Sequence, residues 1–167
     1  MQFILRPWRE EDIPHLVKYA NNQKIADRLT DKFPYPYTES EASSFINAVK
    51  KQDPITLFAI EVNQEAAGSI GIIIQEDIWC KNAELGYWLA EHLWGKGIIT
   101  AAIKQIVDFG FKNFEIDRIF ARPFGSNKAS QRVLEKAGFQ LEARLKHTIF
   151  KNGRYEDEMI YGIRRDT

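Results

Sequence analysis

Among 167 residues there is a single cysteine, Cys80, so no intramolecular disulfide forms and no cysteine cluster can hold a metal. The three histidines, His15, His92 and His147, lie scattered without metal-ligand spacing, and no zinc site is expected. Neither sign of charge is in excess: 23 lysines and arginines meet 23 aspartates and glutamates. That balance removes the basic footprint of a chain that lives on nucleic acid or on an anionic membrane, so neither partner is expected. No apolar run approaches the length of a membrane span, and the opening MQFILRPWREED meets charges after a few apolar residues; the protein is expected in the cytoplasm. What is present, 44% apolar and 28% charged residues, suits one globular domain over residues 1–167 with one substantial core.

The run QFILRPW suits a short strand. Ile13, Leu16, Val17 and Ala20 then recur at helical spacing, with Pro14 in the first turn, where its missing N–H is tolerated. A second helix is announced by Thr38 and Glu41 as a capping box, and Ala42, Phe45, Ile46 and Val49 form its stripe. From Thr56 the period changes to two. Phe58, Ile60 and Val62 alternate, NQEA turns, and Ile70, Ile72 and Ile74 share a face, which predicts an antiparallel hairpin. The third strand, NAELGYWLA, places Ala83, Leu85, Tyr87 and Leu89 on one face and Glu84, Gly86 and Trp88 on the other.

A helix from about Gly97 to about Asn113 follows, and DRIFARP is a strand that can lie parallel to AELGYWL because a helix separates them. Another helix starts on Asn127 and stops at Gly138, with Ser130, Val133, Leu134 and Ala137 inward. The tail alternates through Leu141, Ala143, Leu145 and Ile149, turns at Asn152-Gly153, and alternates again through Tyr155, Asp157, Met159, Tyr161 and Ile163. The predicted class is α/β in the broad sense, an α+β mixed sheet: strand, two helices, three-strand meander, helix, strand, helix and carboxy-terminal hairpin.

The stretch EHLWGKGIITAAI raises a chemical question, because Gly95 and Gly97 flank Lys96 immediately before a helix. Glycines let backbone approach a ligand closely, and a helix start points unpaired N–H groups at it, which suits a phosphate. Simple turn glycines are the other reading. A P-loop needs Gly-Lys-Ser/Thr, and Lys96 is followed by Gly97. A dinucleotide fingerprint needs a third glycine where Thr100 stands, and it normally opens a doubly wound parallel fold. Both familiar motifs fail.

The stretch ELGYWLAEHLWGKG resembles the strand and acyl-CoA pyrophosphate loop of the GNAT family of N-acetyltransferases, in the branch of the Rim-type ribosomal-protein N-terminal acetyltransferases. NKASQRVLEKAGF resembles that family's next motif, and the predicted element order matches the family fold over roughly residues 2–163. The resemblance implies acetyl-CoA as cosubstrate, with no metal. It implies that the amides of Gly95, Lys96, Gly97, Ile98, Ile99 and Thr100 hold the pyrophosphate, that backbone atoms of Tyr87, Trp88 and Leu89 pair with the pantetheine arm, and that Asn127 bonds its amide. His92 stands where the family usually has Gln or Arg, and Leu134 where many members have an acidic tyrosine.

Acetyl transfer to an amine needs a neutral nucleophile, and a proton for the departing thiolate. An α-amine, with a pKa of about 8, needs only a modest base, whereas a lysine or polyamine near 10.4 needs more help. Glu84 is the candidate base, and Ser130 the candidate proton donor. A carboxylate bonded in the sheet or paired with an arginine is the other reading of Glu84, and plain helix capping that of Asn127 and Ser130. Arg132 and Lys136 are candidates for the cofactor's 3′-phosphate. Phe33, Tyr35, Tyr37, Trp79 and Tyr155 either line an acceptor cleft or pack as core and loop anchors. Cys80 is expected as a core or loop residue rather than a nucleophile. The expected acceptor is a primary amine, first a protein N-terminal α-amine. A polyamine or aminoglycoside acceptor, or a non-catalytic acyl-CoA-binding module, are the alternatives. The carboxy-terminal hairpin offers an edge for a homodimer.

Overall fold

The computed structural model describes residues 1–166. Seven strands are hydrogen-bonded in the order β1-β2-β3-β4-β5-β7-β6, and the described residues gather into two compact units. The first comprises Met1–Gly71 and Tyr87–Ile98; the second comprises Ile72–Gly86 and the chain from Ile99 onward.

In the first unit β1 (Ile4–Arg6) pairs antiparallel with β2 (Leu57–Val62), and β2 with β3 (Glu65–Ile74). Asn63 and Gln64, both at positive φ (51° and 68°), form the two-residue turn whose left-handed geometry matches strand twist. Helices α1 (Ile13–Ala20), α2 (Gln23–Ala26) and α3 (Glu39–Lys50) complete the unit. The Thr38 hydroxyl caps α3 by accepting from the Glu41 amide at 3.3 Å. Leu16, Ala20, Ala42 and Ile46, the inward stripes of α1 and α3, are each at most 1% exposed and pack with Trp8, Ala59 and Ala66. The short α2 was not expected. Four residues are too few to show a period, and its cap on Asn22, which accepts from the Lys24 amide, is the only local sign.

Arg6 is buried with Asp12, and its other partner, Glu61, is half-buried. Its Nη1 and Nη2 donate to the two oxygens of Asp12 at 2.7 Å each, and its Nε donates to Glu61. Asp12 also accepts from the Arg9 amide at 2.9 Å. Desolvation pushes the Asp12 carboxyl up, but the hydrogen bonds from Arg6 and Arg9 outweigh it and hold the group below its ordinary range.

In the second unit residues 82–84 of β4 (Asn82–Leu89), whose last three residues belong to the first unit, run parallel to β5 (Arg118–Ala121), β5 pairs antiparallel with β7 (Arg154–Arg164), and β7 with β6 (Gln140–Lys151). Helices α4 (Ile98–Asn113) and α5 (Lys128–Lys136) connect them. Gly110 lets α4 lie close to the sheet, because a Cβ there would sit 3.0 Å from Ile72 and 3.1 Å from Ile119. Asn152 and Gly153, at φ 52° and 73°, make the expected hairpin turn.

Strand β6 differs from the regular alternation expected of it. Leu141 and Leu145 are 51% and 41% exposed, and the register breaks twice, between Leu141 and Ala143 and between Leu145 and Ile149. In α5 Gln131 is buried, while Ser130 is only half-buried. The Gln131 amide is satisfied by donating to the carbonyls of Phe124 and Gly125 at 3.1 and 3.0 Å. Among the described residues no helix is long and apolar enough to cross a membrane.

Candidate active site

The Gly95-Lys96-Gly97 segment is built by backbone. Gly95 and Gly97 have φ of 73° and 77°, a left-handed conformation that a Cβ would strain, and a Cβ added at either would meet nothing within 4 Å. The glycines therefore serve the chain's path and leave open space beside it. Helix α4 starts at once on Ile98, and the N–H groups of its first turn lack intrahelical partners. All three residues 95–97 are exposed. An open, left-handed turn feeding a 16-residue helix fits a pyrophosphate.

Side chains of the first unit pin the approach to this turn. The Trp94 indole N–H donates to the Leu89 carbonyl at 2.7 Å, and the Arg28 guanidinium lies 5.4 Å from the Trp94 ring centre. Glu91 accepts from Asn22 at 2.8 Å and pairs with Lys24, while the His92 ring stacks 5.3 Å from Tyr19. The Leu89 carbonyl, expected to pair with a pantetheine arm, thus already carries one hydrogen bond. At Gly68 a Cβ would stand 2.6 Å from the Trp88 carbonyl, so the backbones approach closely there. The Trp88 ring packs 5.9 Å from Phe33, and Phe33 5.2 Å from Tyr37. Burial pushes the Tyr37 phenol up to about 12. Phe33 and Tyr37 are therefore packing residues, whereas Tyr35, Trp79 and Tyr155 are exposed.

The ladder between β4 and β5 runs only from Asn82–Arg118 to Glu84–Phe120, and Glu84 is its last paired residue on β4. Its carboxylate, 31% exposed, lies 3.8 Å from Arg122 Nη1. The pairing with an arginine, one of the two readings of Glu84, is present. Arg122 Nε donates to Glu158, whose side chain is 9% exposed, and the other Glu158 oxygen accepts from the Thr148 hydroxyl at 3.2 Å. The hydrogen bond from Glu158 raises the Arg122 guanidinium above its ordinary range, against desolvation. Arg122, Thr148 and Glu158 had no local sequence signal, since each lies on a separate stretch of chain.

Asn127 caps α5: its Oδ1 accepts from the Ser130 amide at 3.2 Å, leaving its side-chain NH2 as a donor. The capping reading of this pair is thus realised. Leu134 is fully buried, so the position where many family members carry a tyrosine belongs here to the core. Arg132, Lys136 and Cys80 are exposed. Tyr155 lines a hollow of about 250 Å³ with Lys128, Arg144, His147 and Glu156.

A family model described as an acetyltransferase (GNAT) domain matches residues 2–140. The chain belongs to the GNAT acetyltransferase family. Among GNAT relatives, a putative ribosomal N-acetyltransferase, YdaF of Bacillus subtilis (strain 168), is 34% identical over 83 residues, which are 50% of this chain and 45% of the relative. The chain spans about half the length of the first curated relatives it matches. Spermidine N(1)-acetyltransferase of Escherichia coli (strain K12) is 25% identical over 92% of this chain and 81% of its own. A solved RimL ribosomal L7/L12 alpha-N-protein acetyltransferase in complex with coenzyme A superposes with a TM-score of 0.86 over 98% of this chain and 94% of that one, at 24% identity. That likeness shows the GNAT fold.

Proposed function

We propose that this chain is an acetyl-CoA-dependent N-acetyltransferase that acetylates a primary amine, with a protein N-terminal α-amine as its acceptor, and that residues 1–167 work as one such domain in the cytoplasm. The observation that carries the reading is the pair of left-handed glycines feeding α4, in a chain of the GNAT family. The amides of Gly95, Lys96, Gly97, Ile98, Ile99 and Thr100 hold the pyrophosphate. Backbone groups of Tyr87, Trp88 and Leu89 take the pantetheine arm as an added strand, and the Asn127 NH2 bonds its amide.

Bound acetyl-CoA supplies a thioester. Glu84, half-buried at the end of its ladder, takes the proton the amine loses as the new C–N bond forms, directly or through water. As the C–S bond breaks, the Ser130 hydroxyl donates a hydrogen bond to the departing sulfur and relays to it a proton taken up from solvent water. Leu134 is in no position to do so.

A polyamine acceptor is the second reading, favoured by the likeness to spermidine N(1)-acetyltransferase over 92% of the chain. The balanced charge of 23 against 23 favours the α-amine, because it provides no overall acidic field for a polycation. Thiol release from acetyl-CoA, measured against N-terminal peptides, polyamines and aminoglycosides, separates the two. Turnover concentrated on peptides bearing a free α-amine is expected. Turnover confined to polyamines would transfer the assignment to them, and none with any amine would leave an acyl-CoA-binding module.

A further inference from the structure

Glu84 is only as well placed as the arginine beside it. Arg122 is 49% exposed, and a free arginine on a surface would lose that position to rotamer entropy. Its Nε end is anchored on Glu158, a carboxylate nearly out of water, and both Glu158 oxygens are engaged, one by Arg122 and one by Thr148. A buried carboxylate of this kind needs its cation, so the anchor is strong.

The strand that supplies Thr148 is deformed to do so. Between the Leu145–Glu158 and Ile149–Glu156 pairs, residues 146–148 of β6 oppose Asp157 alone on β7, and His147 takes a φ of 53°. Asp157 sustains this bulge by accepting from the His147 amide at 3.1 Å and from Arg144 Nε at 2.8 Å. A bulge re-aims side chains, and here it places the Thr148 hydroxyl on Glu158.

We propose that Thr148, Glu158 and Arg122 are positioning residues that fix the Glu84 carboxylate for proton transfer, a role that rests on reading Glu84 as the base. Held at 3.8 Å, the guanidinium aligns Glu84 without closing into a bidentate clamp that would occupy both of its oxygens. With Glu158 neutralised, Arg122 is free either to clamp Glu84 or to leave it.

The test is kcat for amine acetylation at saturating acetyl-CoA, for Glu158→Gln and Thr148→Val, each in the wild-type and in the Glu84→Gln background, with acetyl-CoA affinity measured by calorimetry. Glu158→Gln is expected to lower kcat by roughly tenfold or more, and Thr148→Val severalfold in the same direction, with acetyl-CoA affinity unchanged. In the Glu84→Gln background neither should cause further loss. Equal losses in both backgrounds, or none in either, would overturn the proposal. Thr148→Val decides the matter if Glu158→Gln does not fold. Failure of the base reading shows separately, as a Glu84→Gln enzyme with unchanged kcat.

Discussion

Each unit of the molecule contains one arginine set between two carboxylates, and the two clusters differ in how completely they are closed. In the first unit Arg6 forks onto Asp12 and reaches Glu61, with side-chain exposures of 7%, 4% and 16%. In the second, Arg122 is bound to a buried Glu158 but only faces Glu84, and the exposures are 49%, 9% and 31%. The first cluster engages both oxygens of Asp12 and one of Glu61 and keeps all three side chains largely out of water. The second spends one carboxylate as an anchor and leaves the other reachable from solvent. Residue types alone do not separate a structural ion cluster from the proposed catalytic one; the closure of the hydrogen bonds is what differs between them.

If that contrast is right, the largest stability effect belongs to Arg6. Arg6→Met leaves the buried Asp12 without its cation and the half-buried Glu61 without its partner, and should cost about 3–5 kcal/mol in urea denaturation. Activity per folded molecule should stay unchanged. Gly97→Val, at a φ of 77°, tests the region between the clusters in sequence, where the proposed binding is by backbone amides. A β-branched residue there should weaken acetyl-CoA binding by about tenfold or more in calorimetry, while backbone strain of about 1–2 kcal/mol lowers the melting temperature by only a few degrees. Acid sharpens the contrast further. Asp12 has its carboxyl held below the unfolded value of about 3.9, so the stability it contributes is full above that pH and is lost as pH falls through the folded value. Wild type should therefore lose its advantage over Asp12→Asn below about pH 4 in pH-resolved thermal melts. The smallest effect is expected of Lys96→Ala, which removes an exposed charge from a backbone-built turn and should change acetyl-CoA affinity by less than about fivefold.

Features written in consecutive residues were legible in the sequence. Thr38 and Asn127 announce helix starts that the structure caps with those same side chains, and Asn152-Gly153 announces the hairpin turn. The turn at Gly95 and Gly97 belongs with them, because a glycine requirement and a helix start are both local. What depends on pairing across strands was not legible. Leu145 and Ile149 keep even spacing, so the alternation of β6 reads as unbroken although residues 146–148 bulge between them. Arg122, just past the end of β5, meets Thr148 of β6 and Glu158 of β7, and nothing near any of them in sequence announces the others. Gln131 replaced Ser130 as the buried polar residue of α5 because its longer side chain reaches two loop carbonyls.

The assignment of the open cluster to chemistry, and of the glycine turn to binding, meets in one measurement on Glu84→Gln: kcat, and KM for acetyl-CoA, from thiol release with a saturating amine. Loss of a general base should lower kcat by a factor on the order of 100 or more, while KM for acetyl-CoA stays within experimental scatter. An unchanged kcat would contradict the account.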